Sequence, residues 1–388
     1  MTYSVYQHWD PLKVCVVGRS YPPEFYSWIT VPHVRKLFEK IAIETEEDYH
    51  NIIRKLQSFG VSVVRTKISD NIDRYRLSDG RLVPPPMCPR DYTVMVGDTF
   101  YYSCLHSDIK TAYDMVRDPS WPDCNSSYDF LSLPDWIRKE CLEIHKIDSQ
   151  GSLLSIELSY DSIVEQVQSQ GNKIKIIKHN SYINGAMISR IGQDLYFGTE
   201  SYNQDQSLLK QFIDQEFINT RNHIINTGGH GDGTYCPVTP GLIISLYDVP
   251  TYAETFPGWE VVYLPGQSWA SVQPFLDLKE KNHGKWWIPG FEHDQTVVDV
   301  VEQWLGHWTG YVEETVFDVN MLIIDPKNVI VFNYNKQVFD ALDRYGITPH
   351  IVPFRHRYFW DGGIHCITSD LHREGAMQDY FPERPNVR

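Results

Sequence analysis

Residues 321–353 read MLIIDPKNVIVFNYNKQVFDALDRYGITPHIVP. Two apolar runs, Met321 to Ile324 and Val329 to Phe332, flank a turn at Asp325 to Asn328 and predict a pair of short strands. Lys336 to Tyr345 predicts a helix closed by Gly346, and Ile351 to Pro353 a third strand. Similar groupings occur twice earlier. In one, Val14 to Val17 is followed by a helix over Thr45 to Phe59, with Tyr49, Ile52, Ile53 and Leu56 on one face and Gly60 as its stop; Val61 to Val64, Tyr92 to Val96 and Thr99 to Ser103 supply strands. In the other, Met187 to Ser189 and Asp194 to Gly198 precede a helix over Ser207 to Phe217, with strands near Thr227 and at Leu242 to Ser245. A supersecondary unit that reappears without sequence identity predicts a pseudo-symmetric α/β array whose loops converge on one axis. Lys110 to Ser152, rich in Asp, Ser, Trp and Pro, reads as an insertion or lid within a single domain spanning residues 1–388.

Composition narrows the chemistry. The chain carries 50 acidic and 35 basic side chains, a formal charge of −15, so its field repels phosphate backbones and anionic membranes and suits a small cationic substrate. No nucleic-acid or membrane partner is expected. No apolar stretch approaches the ~20 residues needed to cross a bilayer, and the first residues lack a signal-peptide pattern; the expected location is cytoplasmic. Cys15, Cys88, Cys104, Cys124, Cys141, Cys236 and Cys366 are odd in number, scattered and without a C-x-x-C pair, which argues for reduced thiols rather than disulfides or a structural zinc site.

Three loops gather polar residues where strands begin or end: PPPMCPRDYTVMVG with Arg90 and Asp91, NTGGHGDGTY with His230 and Asp232, and DGGIHC with Cys366. Glycine beside a polar side chain lets a ligand approach the backbone closely. Singly, each has a plain structural reading: His230 satisfied within a turn, Asp91 and Asp232 as turn carboxylates, Cys366 as an inert buried thiol. Together they fit guanidino chemistry. A cysteine nucleophile needs a base to hold and exchange its proton, and two carboxylates can grip a planar cation by paired charge-assisted hydrogen bonds.

The chain resembles the guanidino-group modifying enzymes, or penteins, and within them the arginine:glycine and inosamine-phosphate amidinotransferases. The resemblance runs through VYQHWDPLKVCVVGR, MCPRDYTVMVG, ISRIGQDLYF, GGHGDGTY, VNMLIID and GGIHCITSDLHREGAMQDY. It implies a β/α propeller of fivefold pseudo-symmetry built from ββαβ-like modules. It implies Cys366 as nucleophile, His230 as general acid and base, and Asp91 and Asp232 as guanidinium ligands, with Arg90 beside them. It further implies transfer of an amidino group from a guanidino donor, L-arginine in the family, to an amine acceptor through an amidino-cysteine, with no metal or organic cofactor and, by analogy, a homodimer. A hydrolase of the same superfamily is the alternative, and a binding protein that kept the fold a more distant one.

Two departures stand out. Where the family has an aspartate that orients the histidine, this chain has NGAM, so Asn184 takes that place and Met187 replaces a second acid; Asn184 is expected to hold the imidazole through its carbonyl. The family's carboxylate-binding arginine should follow LIISL, but Tyr247, Asp248, Val249 and Pro250 stand there, and its serine pair aligns with Glu314 and Thr315. Arg355 and Arg357 are the substitute cations for a donor carboxylate, or equally surface charges on a strand edge.

Overall fold

The computed structural model describes residues 2–68, 75, 82, 85–103, 126–132, 143–147, 153–157, 160–178, 183–199, 206–227, 230–246, 251–264, 291, 294–305, 318–360 and 362–385. The strands are β1 (Leu12–Val17), β2 (Ser62–Arg65), β3 (Thr93–Val96), β4 (Thr99–Ser103), β5 (Ser126–Asp129), β6 (Glu143–Ile147), β7 (Leu153–Glu157), β8 (Lys173–Lys178) and β9 (Ile188–Ile191). There follow β10 (Asp194–Thr199), β11 (Arg221–Asn226), β12 (Tyr235–Thr239), β13 (Leu242–Ser245), β14 (Glu260–Tyr263), β15 (Leu322–Asp325), β16 (Asn328–Val331), β17 (Thr348–Ile351) and β18 (Thr368–Arg373).

Residues 321–353 form the expected unit. β15 and β16 pair antiparallel with Leu322 opposite Ile330, the helix Lys336–Arg344 follows, and β17 returns parallel to β16 with Asn328 opposite Thr348. The third strand begins three residues before the expected Ile351, because Gly346 turns the chain at φ 67° and pairing starts at once. The same order, an antiparallel pair, a helix and a strand parallel to the middle one, recurs in five sheets: β18-β1-β2, β3-β4-β8, β9-β10-β11, β12-β13-β14 and β15-β16-β17. The helices between the parallel partners are Pro32–Ser58, Asp161–Ser169, Gln206–Glu216, Tyr252–Thr255 and Lys336–Arg344.

The groupings drawn from sequence cut across these modules. Val14 to Ser103 is not one unit: β1 and β2 belong with β18 from the other end of the chain, while β3 and β4 open a module whose third strand is β8. Likewise Leu242 to Ser245 leaves the β9–β11 unit and starts its own sheet with β12 and β14. The first helix runs from Pro32, not Thr45. Proline at its opening position costs no hydrogen bond, and Val34, Phe38 and Ile41 continue the buried stripe of Tyr49, Ile52 and Leu56. Each such side chain contributes about 1.5–3 kcal/mol of transfer free energy. Within the expected insertion, β5 pairs antiparallel with the outer edge of β8 and runs into a short turn of helix at Phe130–Ser132, and β6 pairs with β7 just beyond it; 110–125, 133–142 and 148–152 lie outside the described residues.

The modules share cores in a closed succession. One apolar cluster joins the second and third modules (Val94, Tyr101, Leu195, Phe197), one the third, fourth and fifth (Tyr196, Ile244, Ile323), and one the fifth, first and second (Ile330, Val16, Phe100). This is the α/β ring of five ββαβ modules expected for a pentein-type propeller.

At the centre a fully buried carboxylate, Asp370 of β18, collects three buried arginines. Arg190 of β9 donates to both its oxygens at 2.8 Å, Arg373 to Oδ2 at 2.7 Å and Arg90 to Oδ1 at 3.1 Å. Burial raises the Asp370 pKa, but the three guanidiniums outweigh it and leave the carboxyl well below the usual carboxylate range.

Candidate active site

Each module places one polar residue a few positions ahead of its first strand. Asp91 is two residues before β3, Asn184 four before β9, Asp232 three before β12, Asn320 two before β15 and Cys366 two before β18. The repeated topology carries all five loop starts to one end of the ring, and the contacts among them define the site.

Cys366 is 1% exposed, yet its surroundings are polar. Its Sγ lies 3.6 Å from Asp232 Oδ2 and receives a hydrogen bond from Asn320 Nδ2 at 3.0 Å. Asp232 stands on the one-turn helix Gly231–Gly233, and His230 immediately precedes that turn, so nucleophile candidate and base candidate meet through a single short segment. His230 Nδ1 lies 3.9 Å from Asp91 Oδ1, with side chains 17% and 27% exposed, and these two form the rim. Asp232 Oδ1 is buried and has no hydrogen-bond partner among the described residues. A buried carboxylate oxygen left unbonded is costly, and a guanidinium N–H is the kind of donor that would satisfy it.

The fixed half of Asp232 is set by His365. Burial, then the charge of Arg90, drive the His365 pKa down to about 3 despite the opposing pull of Asp232, so the ring is neutral. Its Nδ1 is 2.7 Å from Asp232 Oδ2; facing a carboxylate, that nitrogen carries the hydrogen and donates. His365 thus anchors one carboxylate oxygen and leaves the other for a ligand.

Asn184 departs from its expected role. Its Oδ1 accepts from the backbone N–H of Met187 at 3.1 Å, which fixes the amide orientation, and its Nδ2 faces His230 Nε2 at 3.4 Å. The amide therefore offers the imidazole a donor, not a carbonyl.

Three further expectations are corrected or relocated. Arg90 is no substrate contact: it is 0% exposed, donates Nε to the carbonyls of His365 and Thr368 at 2.9 and 3.0 Å, and so braces the segment that carries Cys366. Arg355 is tied to the helix Pro32–Ser58 through Asp48 and Glu47, and Arg357 Nη1 bonds Asn333 Oδ1. Residues 247–250, Glu314 and Thr315 lie outside the described residues. Sequence reasoning also missed Asn320 and gave His365 no role. The signal for Asn320 was present, a polar residue at the mouth of an apolar strand in VNMLIID, in the same register as Asp91 and Cys366.

Cys15, Cys88, Cys236 and Cys366 are free thiols; Cys104, Cys124 and Cys141 lie outside the described residues. Burial pushes the Cys15 and Cys236 thiols up to about 12. Among the described residues no group of three His, Cys, Asp or Glu is placed to hold a metal ion, and no helix is long and apolar enough to cross a membrane.

No family model matches the chain. In sequence it is 22% identical over 424 residues to mitochondrial glycine amidinotransferase of Xenopus tropicalis, covering 97% of this chain and 84% of that protein. It is also 22% identical to inosamine-phosphate amidinotransferase 1 of Streptomyces glaucescens, covering 97% and 98%. In structure it aligns with an amidinotransferase of saxitoxin biosynthesis from Microseira wollei at a TM-score of 0.61, with 16% identity over 98% and 100% of the two chains. The chain is amidinotransferase-like over nearly its whole length. Inosamine-phosphate amidinotransferase of Streptomyces griseus, also at 0.61 and 16% identity, matches 97% of this amidinotransferase-like chain. At these identities the structural matches establish the fold, and the sequence matches show that the chain is similar to enzymes named for amidino transfer.

Proposed function

We propose that this protein moves an amidino group from a guanidino donor, L-arginine as the first candidate, to an amine acceptor through a covalent intermediate on Cys366. The carrying observation is the position of Asp232: Oδ2, anchored by His365, lies 3.6 Å from the Cys366 sulfur, Oδ1 is unbonded, and His230 is two residues away. A planar cation held by Asp232 and Asp91 would present its central carbon to that sulfur.

The Cys366 thiol gives its proton to neutral His230, and the thiolate attacks the guanidinium carbon to give a tetrahedral adduct. The carbon–nitrogen bond to the leaving amine then breaks, its electron pair stays on nitrogen, and protonated His230 supplies the proton. An S-amidino-cysteine remains. The acceptor amine loses a proton to the now neutral His230 and attacks the same carbon; the carbon–sulfur bond breaks and returns the thiolate. Asp91 and Asp232 keep the cation oriented throughout, and orientation accounts for much of the rate.

The test is incubation of the full chain with L-arginine, with and without glycine and a panel of amines, followed by mass spectrometry. Ornithine with a new guanidino product, dependent on the amine, supports transfer. Citrulline without any amine requirement would establish hydrolysis instead. An adduct of amidino mass on Cys366, absent in Cys366→Ala, supports the covalent step, and transfer by Cys366→Ala would overturn it.

A further inference from the structure

We propose that Asn320 is the positioning residue of the nucleophile: its amide N–H holds the Cys366 sulfur in its reactive, negatively charged form while its carbonyl fixes the loop that presents it. The inference rests on the reading of Cys366 as nucleophile. One side chain makes four hydrogen bonds across this junction. Oδ1 accepts from the backbone N–H of His365 at 2.8 Å and of Cys366 at 3.4 Å; Nδ2 donates to Cys366 Sγ at 3.0 Å and to the carbonyl of Asp232 at 3.3 Å. Two fixed backbone donors on one side and a carbonyl on the other leave only one orientation for the amide, so the group facing sulfur is N–H. Gly363 lets it in: a Cβ there would land on the Asn320 amide.

The charged and titratable groups around the sulfur make this donor consequential. Asp232, at 3.6 Å, opposes a negative sulfur. His365 is neutral and spends its hydrogen on Asp232, and Arg90 sits behind the loop, bonded to the carbonyls of His365 and Thr368. His230 and Asp91 stand at the rim. Among the hydrogen bonds to this sulfur, the one from Asn320 favours its charged form, and a donor to the charged form stabilises it. Asn320 also joins the loop of the fifth module to those of the fourth and the first, so it sets where the sulfur lies relative to Asp232.

The experiment measures the rate of iodoacetamide alkylation at Cys366 against pH in the full chain, located by peptide mass spectrometry, for Asn320→Asp, Asn320→Ala and Gly363→Ala, with Cys366→Ala as background. Asn320→Asp retains an acceptor for the His365 N–H and puts a negative charge in place of the donor. Its alkylation midpoint should rise by about one pH unit or more, a roughly tenfold slower reaction at neutral pH. Asn320→Ala should follow in the same direction, and Gly363→Ala, which displaces the amide without altering it, should shift less. In turnover, kcat should fall with little change in donor KM. A folded Asn320→Asp or Asn320→Ala variant with the wild-type midpoint overturns the proposal, and so does failure of all three variants to unfold cooperatively, which would make Asn320 a structural residue. Because alkylation reports on the thiol without turnover, it stays distinct from the arginine assay: a shifted midpoint in a protein that transfers nothing would sink the proposed function and leave the role of Asn320 standing.

Discussion

Replacing Asn184 by Asp should raise the pKa of His230. The amide nitrogen that now faces His230 Nε2 at 3.4 Å would become a carboxylate oxygen, while the other oxygen keeps the Met187 N–H. A unit charge at that distance from an imidazolium is worth about 5 kcal/mol at an effective dielectric of about 20. The ring retains 17% exposure and already has Asp91 at 3.9 Å, so screening removes much of this. An opposite charge this close shifts a titration by about 1–3 units, and the exposed position argues for about 1–2. The assay is the pH titration of the His230 ring by NMR, assigned by its disappearance in His230→Gln, alongside the pH dependence of the second half-reaction. That step uses the neutral ring as base, so its acidic limb should move upward with the ring. A shift below about 0.3 units, or a downward one, would show that the Asn184 amide does not govern the imidazole.

Asp370→Asn should destabilise the protein by about 3–5 kcal/mol, since it strips charge from the partner of Arg90, Arg190 and Arg373 while all three stay buried; a denaturant-unfolding loss under about 1 kcal/mol would contradict that. Stability should also fall as pH drops from about 6.5 toward 4. His8 and His365 are both held neutral, chiefly by burial, so the unfolded chain takes up protons that the folded one refuses. Their depressed folded values mean the contribution is complete above the unfolded histidine value and is lost on acidification, at about 1.4 kcal/mol per pH unit for each ring. Asp370 adds its own loss only at more acidic pH, below the ordinary carboxylate value. A denaturation midpoint that stays flat between pH 6.5 and 5 would refute the neutral assignment.

Local signals were the legible part of the fold. Turn residues between apolar runs marked β3–β4 and β15–β16, and glycines marked helix ends, because those preferences act over a few residues. Which strands share a sheet was not legible. β2 and β3 are near neighbours in sequence yet lie in different sheets, and β1 finds its antiparallel partner only at β18. That choice is made by long-range packing, about which local periodicity is silent. In the site, Cys366, His230, Asp91 and Asp232 stood out because glycines flank them or reactive residue types adjoin, and the structure gathers them. Arg90 was misread because a charged residue next to Asp91 invites a ligand role, whereas its burial and its carbonyl partners depend on β18. Asn184 lies beside His230 with its amide turned opposite to the expected way, since the orientation of an amide is decided by its neighbours.

The pairing of β1 with β18, Leu12 opposite Arg373, joins the two ends of the succession of modules, so ring closure carries the loop-closure entropy of nearly the whole chain. Arg373 also donates to Asp370 Oδ2, so the strand that makes this seam is the one that ties the central cluster of arginines together.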